Sequence, residues 1–162
     1  MKPRVLFLDF DGVCNSHQFI TNYLNHFNQP TDKTYIISEH IDPVCVERVN
    51  RIVDALDADV VISSAWRKAF SLEELESFLR GKGFTGNIIG HTSIRTTPQF
   101  RGNEIQDWMN EHGVTKNNII ILDDMGASEM LHLSDRLIQT SLYTGLMDRH
   151  VEAALRLFNP SG

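Results

Sequence analysis

Two aspartates near the N-terminus, Asp9 and Asp11, have the types and the spacing to take part in chemistry. They follow a run of large apolar residues, 5–8, which predicts a strand buried on both faces of a parallel sheet. Side chains along a strand repeat with period two, so the two carboxylates start on the same side, about 6–7 Å apart. Gly12 lets the backbone turn away behind them. Two like charges this close favour a cation between them, and Mg²⁺ prefers such oxygen ligands.

An Asp-x-Asp-Gly string also occurs as an ordinary turn at a strand end, because Asp and Gly are favoured in turns. Further polar residues at predicted strand ends favour the chemical interpretation. Ser63 follows the apolar run 60–62, and Asp123 and Asp124 follow the run 118–122. The carboxyl ends of parallel strands meet at one edge of the sheet, where ligands of open α/β sheets bind. We therefore expect these side chains to converge with the first aspartate pair.

The elements that must position these residues alternate between strands and amphipathic helices. Asp42 and Pro43 predict a helix start, with Asp as the N-cap and Pro at the first helical position. Ser71 and Glu74 predict a capping box at the start of another helix. Apolar runs and stripes predict the remaining elements, which are strands at 87–89 and 137–138 and helices near 105–113 and 151–158. This alternation predicts an α/β fold, a three-layer Rossmann-like parallel sheet with helices on both faces.

The length of 162 residues and the mass of 18.5 kDa predict a single domain over residues 1–162. Residues 14–41 are polar and show no clear period, which predicts a small flap or lid. They are too few for a large cap, so we expect little or no cap domain.

Composition limits the classes of function. The net charge of −6 argues against bulk attraction to nucleic acid. No apolar run approaches the roughly 18 residues of a membrane span, and no signal peptide is recognised, so we expect no membrane partner. The two cysteines do not form a disulfide framework, which favours a cytoplasmic location.

Two other hydrolase chemistries are disfavoured by the sequence. Cys45 and Arg51 match the Cys-x5-Arg pattern of thiolate phosphatases, but that loop needs glycines to wrap a phosphate. Residues 45–51 contain no glycine and lie inside the helix that Asp42 and Pro43 begin. The seven histidines show no paired spacing typical of a zinc site.

Arg101, at the start of the helix that leads into the fourth strand, adds a fixed cation to the set. In order and spacing, four strings of this sequence resemble the motifs of the haloacid-dehalogenase-like (HAD) superfamily of phosphohydrolases, namely residues 9–13, residues 61–63, Arg101 and residues 121–124. The resemblance spans nearly the whole chain. More narrowly, three strings are similar to the HAD domain related to Swiss-army-knife RNA-repair proteins, namely residues 62–67, 101–105 and 121–124.

This resemblance implies Mg²⁺-dependent phosphoryl transfer through an aspartyl-phosphate. Asp9 is then the nucleophile, and Asp11 is the general acid that later acts as general base. Mg²⁺ is held by the Asp9 carboxylate, the Asp11 backbone carbonyl and Asp124. Asp123 supports the metal site indirectly, through the groups that bind the ion.

Four residues are predicted to bind the substrate phosphate: Ser63, Ser64, Arg67 and Arg101. Ser63 donates a hydrogen bond and Arg101 stabilises charge on the transferring group. Either serine could instead cap the following helix, and Arg67 and Lys68 are rivals of Arg101 as the main cation. Lysine is more usual at the position of Arg101, but the guanidinium fork also suits a phosphate.

We predict a phosphatase with an open site, because no large cap is expected. An open site favours a polynucleotide end or a nucleotide as substrate. The alternatives are a small-metabolite or phosphoprotein phosphatase, or a catalytically silent HAD-fold binding module. Intact Asp9, Asp11 and Asp124 favour an enzyme over the silent module. Trp66 and Trp108 are interpreted as packing residues in the core or at its rim rather than as base-stacking platforms.

Overall fold

The computed structural model describes residues 2–25, 37–94 and 100–159. The strands are Arg4–Leu8 (β1), Ala58–Ile62 (β2), Ile88–His91 (β3), Ile119–Asp123 (β4) and Leu137–Gln139 (β5). The helices are His17–Leu24 (α1), Pro43–Leu56 (α2), Leu72–Gly81 (α3), Arg101–His112 (α4), Ala127–Met130 (α5) and Asp148–Phe158 (α6). All strand pairs are parallel, in the order β3-β2-β1-β4-β5.

Alternate side chains of the central strands pack on opposite faces of the sheet. On one face Leu6 and Leu8 join a core cluster with residues of α2, α3 and α6. On the other face Val5 and Phe7 pack with residues of α4 and α5, among them Ile105. Strands with both faces covered must be apolar throughout, which is why their sequences are continuous apolar runs. The predicted three-layer α/β architecture is confirmed.

The predicted helix starts agree with the structure. Asp42 is the N-cap of α2, and its Oδ1 accepts a hydrogen bond from the backbone N–H of Val44 at 2.9 Å. At α3 the Ser71 hydroxyl accepts from the N–H of Glu74, and the Glu74 carboxylate accepts from the N–H of Ser71. These bonds satisfy N–H groups that have no partner inside the first helical turn.

The segment predicted as a flap, 14–41, contains a helix that the sequence pattern did not predict. Helix α1 begins after Ser16, whose hydroxyl accepts a hydrogen bond from the N–H of Phe19 at 3.1 Å. Phe19, Ile20, Tyr23 and Leu24 share one face of α1, but the helix has only 8 residues and none of them is buried, so this short stripe did not lead to a predicted helix. Ile37–His40 forms a 3₁₀-helix, and residues 26–36 lie outside the described residues. Within the described ranges no large cap domain is evident.

The C-terminal ends of β1, β2 and β4 lie side by side. β1 is the middle strand, and the chain order reverses across it, which is where open α/β sheets bind ligands. Backbone hydrogen bonds continue past the strands, because the N–H of Asp9 donates to Leu122 O at 3.1 Å and the N–H of Ser63 donates to Leu8 O at 2.8 Å. Among the helices of the described ranges, none has the length and apolar character needed to cross a membrane.

Candidate active site at the ends of three strands

Three carboxylates form a compact acidic cluster at this edge of the sheet. One oxygen from each of Asp9, Asp123 and Asp124 lies within 4.8 Å of the other two. Asp9 is 4% exposed and Asp123 is fully buried, whereas Asp124 is half-buried. The structure thus brings together the ends of β1 and β4 as the strand-end pattern predicted.

The cluster is electrostatically unfavourable for three negative charges by themselves. Burial and the neighbouring Asp123 carboxylate raise the pKa of Asp9 well above its usual range, and the Arg101 guanidinium acts in the opposite direction. Burial also raises the pKa of Asp123, again against the effect of Arg101. Groups arranged in this way favour a bound cation, because a positive charge stabilises the ionised carboxylates.

Arg101 connects the three strand ends. It is the first residue of α4 and only 6% exposed. Its Nη1 donates to the backbone carbonyl of Ser63 and to Oδ2 of Asp123, the latter at 3.1 Å, and lies 3.6 Å from Oδ1 of Asp9. Burial alone would lower the pKa of Arg101, but Asp9, Asp123 and Glu104 raise it. The guanidinium is therefore a fixed positive charge beside Asp9.

The side chain of Ser63 is buried without a partner. Ser63 is 1% exposed, and its Oγ has no hydrogen-bond partner among the described residues. A buried hydroxyl without a partner costs free energy, so such a group commonly marks a site that a ligand completes. Ser63 follows β2 directly, and its backbone carbonyl accepts from Arg101 in the same site.

Ser64 and Arg67 lie nearby, but their polar groups bind within the protein. The Ser64 hydroxyl accepts a hydrogen bond from the N–H of Trp66 at 3.2 Å, so it caps the 3₁₀-helix Ala65–Lys68. Arg67 donates to the backbone carbonyls of Thr92 and Ser64 and to Glu104. Both polar side chains therefore already have partners without a phosphate. The other rival, Lys68, is exposed at the end of the 3₁₀-helix.

Glu104 is a buried member of the site that the sequence analysis did not single out. Its side chain is 8% exposed, and its Oε2 accepts from Nη2 of Arg67 at 2.5 Å. Its Oε1 lies 4.0 Å from Nε of Arg101. Burial lowers the pKa of Arg67, and Glu104 opposes that shift. The available signal was the Arg101-x-x-Glu104 spacing, which places two opposite charges on one helix face.

Asp11 differs from the clustered carboxylates in being exposed. Its Oδ1 accepts hydrogen bonds from Nδ2 of Asn15 at 2.9 Å and from Nε1 of Trp66 at 3.1 Å. The side chain of Asp11 does not belong to the cluster formed by the three other aspartates, whose oxygens could hold a metal ion. The contact with Trp66 could not be anticipated from spacing, since Trp66 is 55 positions away in the sequence.

Comparison with known proteins identifies one family. Residues 5–151 match the family model described as the HAD domain in Swiss Army Knife RNA repair proteins. No curated protein and no solved structure matches the chain.

Proposed function

Since the chain belongs to the family of HAD domains in Swiss Army Knife RNA repair proteins, we propose that it is a Mg²⁺-dependent phosphatase that acts on phosphorylated polynucleotide ends. The family suggests phosphatase activity in general and a setting of RNA repair. The reaction route through an aspartyl-phosphate, the metal ion and the class of substrate are our proposals.

One observation carries the proposal: a buried acidic cluster lies next to a buried hydroxyl and a buried guanidinium. The carboxylates of Asp9, Asp123 and Asp124 suit a hard cation, whereas Ser63 Oγ and Arg101 suit the oxygens of an anion. A phosphate ester with its metal ion satisfies both sets of groups at once. A domain that only binds a partner has no need of this combination.

The donor set fits Mg²⁺. All the available ligands are oxygens, and the cluster has one half-buried member, Asp124, through which an ion can enter. We assign the Asp9 and Asp124 carboxylates and the backbone carbonyl of Asp11 as direct ligands. Asp123 is a supporting group, because both of its oxygens already accept hydrogen bonds, from Arg101 and from the N–H of Met125. Bound Mg²⁺ would neutralise charge on the phosphoryl oxygens.

The proposed reaction has two steps. In the first, an Asp9 carboxylate oxygen attacks phosphorus, and the bond to the leaving oxygen breaks. That oxygen takes a proton from Asp11, so an alcohol leaves and an aspartyl-phosphate remains. In the second, Asp11 takes a proton from a water molecule as the water attacks phosphorus. The bond between phosphorus and the Asp9 oxygen breaks, inorganic phosphate leaves, and both aspartates return to their starting states.

Two buried groups support the transferring phosphoryl group. The hydroxyl of Ser63 would donate to a phosphoryl oxygen and so gain the partner that it lacks among the described residues. Arg101 would stabilise the charge that spreads over the phosphoryl oxygens during transfer. The bonds of Arg101 to Asp123 and to Ser63 O hold the guanidinium in place before the substrate arrives, so little reorganisation is needed.

The access of a substrate to the site and the family of the chain both favour a polynucleotide end. Asp11 is exposed, and the described parts of residues 14–41 contribute only α1 and a short 3₁₀-helix beside the site. A phosphate at the end of a long polymer can reach such a site, whereas an enclosed pocket would reject it. The setting of the family in RNA repair favours a polynucleotide over a phosphoprotein.

A phosphate-release screen tests the proposal. The purified chain is incubated with Mg²⁺ and with RNA and DNA oligonucleotides carrying 3′- or 5′-phosphates, matching mononucleotides, sugar phosphates and phosphopeptides. We expect the highest kcat/KM on a phosphorylated oligonucleotide. A preference for small phosphates would overturn the proposed substrate class. Absence of turnover on every ester, p-nitrophenyl phosphate included, would overturn the phosphatase proposal.

A further inference from the structure

The side chain of Asp11 is held by two donors that meet at one of its oxygens. Nδ2 of Asn15 lies 2.9 Å from Oδ1 of Asp11, and Nε1 of Trp66 lies 3.1 Å from the same atom. An exposed aspartate otherwise exchanges among staggered rotamers. Two hydrogen bonds to Oδ1 select one rotamer and leave Oδ2 as the oxygen that can carry a proton.

Trp66 is rigidly placed. The side chain packs edge-on against Phe10, with ring centroids 5.2 Å apart, and contacts the rings of Phe70 and Phe78. The N–H of its own backbone donates to the hydroxyl of Ser64. Trp66 is only 8% exposed, so its indole N–H reaches out of the core at a fixed position. The predicted packing role is therefore accompanied by a polar contact with Asp11.

Asn15 is also fixed, and its amide orientation follows from its partners. The residue is fully buried, and its Oδ1 accepts a hydrogen bond from the N–H of Gly12 at 3.0 Å. The carbonyl end of the amide therefore faces Gly12 and the NH₂ end faces Asp11. A buried amide satisfied at both ends has little freedom to turn.

We propose that Trp66 and Asn15 are positioning residues that orient Asp11 for proton transfer, an inference that rests on the proposed phosphatase function. Holding Oδ1 directs Oδ2 towards the leaving-group oxygen in the first step and towards the attacking water in the second. Neither Trp66 nor Asn15 contacts the reacting atoms in this scheme. Their contribution is to reduce the number of orientations in which the carboxyl group is unproductive.

The first test measures the contact itself, without activity. The chain has two tryptophans, so a ¹⁵N-labelled sample gives two indole N–H signals, which Trp66→Phe and Trp108→Phe assign. In Asp11→Ala the Trp66 indole signal should move upfield and exchange faster with solvent, because its acceptor is gone. The Trp108 signal should stay unchanged. An unchanged Trp66 signal would overturn the proposal.

The second test separates positioning from packing. Trp66→Phe keeps an aromatic ring and removes the donor, and Trp108→Phe is the matched control at a residue outside the site. Trp66→Phe should lower kcat about tenfold on an alkyl phosphate, the worth of one hydrogen bond, with little change in KM. On p-nitrophenyl phosphate, whose leaving group hardly needs a proton, the loss should be clearly smaller. An equal loss on both substrates would indicate a packing defect and overturn the proposal.

The third test places the effect on Asp11. In an Asp11→Asn background, Trp66→Phe should cause no further loss of kcat on the alkyl phosphate, because the group that it positions no longer transfers protons. Additive losses would show that Trp66 acts elsewhere. An inactive wild type would remove the proposed function and this inference with it. An active wild type with additive losses would overturn the positioning role alone.

Discussion

Gly12 lies so close to Asp124 that a Cβ added at position 12 would stand 2.7 Å from the Cβ of Asp124 and 2.9 Å from its Oδ2. Gly12 also has a φ of +77°, in the region that favours glycine. The loop that follows β1 therefore requires a glycine at position 12 for two reasons. It turns sharply after Asp11, and it leaves room for the half-buried carboxylate of the acidic cluster.

Gly12→Ala should displace Asp124 and weaken metal binding. The added methyl group meets the Asp124 side chain, so we expect a higher Mg²⁺ concentration for half-maximal activity and a smaller thermal shift with Mg²⁺. Gly113→Ala is the control, because Gly113 has a similar φ of +65° and no atom within 4 Å of an added Cβ. It should lose about 1 kcal/mol of stability from backbone strain and keep its Mg²⁺ dependence. An unchanged Mg²⁺ requirement in Gly12→Ala would contradict the assignment of Asp124.

Removal of divalent metal should abolish turnover of an aryl phosphate, and added Mg²⁺ should restore it. The crowded carboxylates Asp9, Asp123 and Asp124 repel one another until a cation binds. Mg²⁺ should therefore also raise the melting temperature. At a hundred times its Kd, the bound ion adds about 2.7 kcal/mol to the free energy of unfolding. Phosphate release and differential scanning calorimetry measure the two effects. Full activity in excess EDTA would refute the metal site.

Asp9→Asn and Asp11→Asn should fail at different steps. Asp9→Asn lacks the proposed nucleophile, so activity should fall to background and no phosphoenzyme should form. Asp11→Asn lacks the proton donor and base, which is worth about 10²–10⁴-fold in rate. Its loss should be smallest with p-nitrophenyl phosphate, and hydroxylamine-sensitive phosphoenzyme should accumulate. ³²P trapping and peptide mapping check this, and label found on Cys45 would contradict the mechanism.

Arg67 and Arg101 should differ in what their removal changes. Arg67→Met deletes three buried hydrogen bonds, including that to Glu104, and should destabilise the protein by about 3–5 kcal/mol. Its KM, measured below the melting temperature, should stay near the wild-type value. Arg101→Lys keeps the positive charge but loses the planar guanidinium, whose paired N–H donors suit a phosphate. It should therefore raise KM or lower kcat, with a smaller effect on stability than Arg67→Met has. If KM rises in Arg67→Met and not in Arg101→Lys, the result would indicate that Arg67 rather than Arg101 binds the substrate phosphate.

Folding stability should fall in mild acid through His150. Burial lowers the pKa of His150, with Arg149 and Arg48 adding to the effect, and its Nδ1 accepts from the N–H of Met147. The folded state thus binds fewer protons than the unfolded state as pH falls through about 6.5, so stability present above that pH is lost below it.

The slope from this one group is at most about 1.4 kcal/mol per pH unit. His150→Asn keeps a polar side chain that does not titrate, so its free energy of unfolding should fall less between about pH 7 and 5. His132→Asn, at an exposed position, is the control. Urea denaturation at several pH values measures the difference. Equal pH slopes for wild type and His150→Asn would contradict this role.

Much of the fold could be predicted from the sequence because buried parallel strands are short, continuous apolar runs with polar ends. β1, β2 and β4 all have this pattern, and the caps at Asp42 and Ser71 mark two helix starts by local hydrogen bonds alone. Helix α1 could not be predicted in the same way. Its apolar stripe is confined to 8 residues, none of them buried, and His17 at its start is held by Leu142 and Tyr143, which are remote in sequence.

The sequence by itself determined that Asp9, Asp123 and Asp124 meet, because the parallel order brings the carboxyl ends of β1 and β4 to one edge. Which oxygens Arg67 and Arg101 bind within the protein was decided only by the tertiary structure. Both are arginines next to a strand end or helix start, and a guanidinium on a flexible stem binds whichever oxygens the packing brings within reach.

The partners of Asp11 were likewise decided by packing. Trp66 belongs to the 3₁₀-helix after β2, and its indole N–H reaches Asp11 because the ring is seated against Phe10, next to the strand end of β1. The sequence determined which groups are available at the strand ends. Which donor faces which acceptor depends on side-chain directions, and only the packed core sets them.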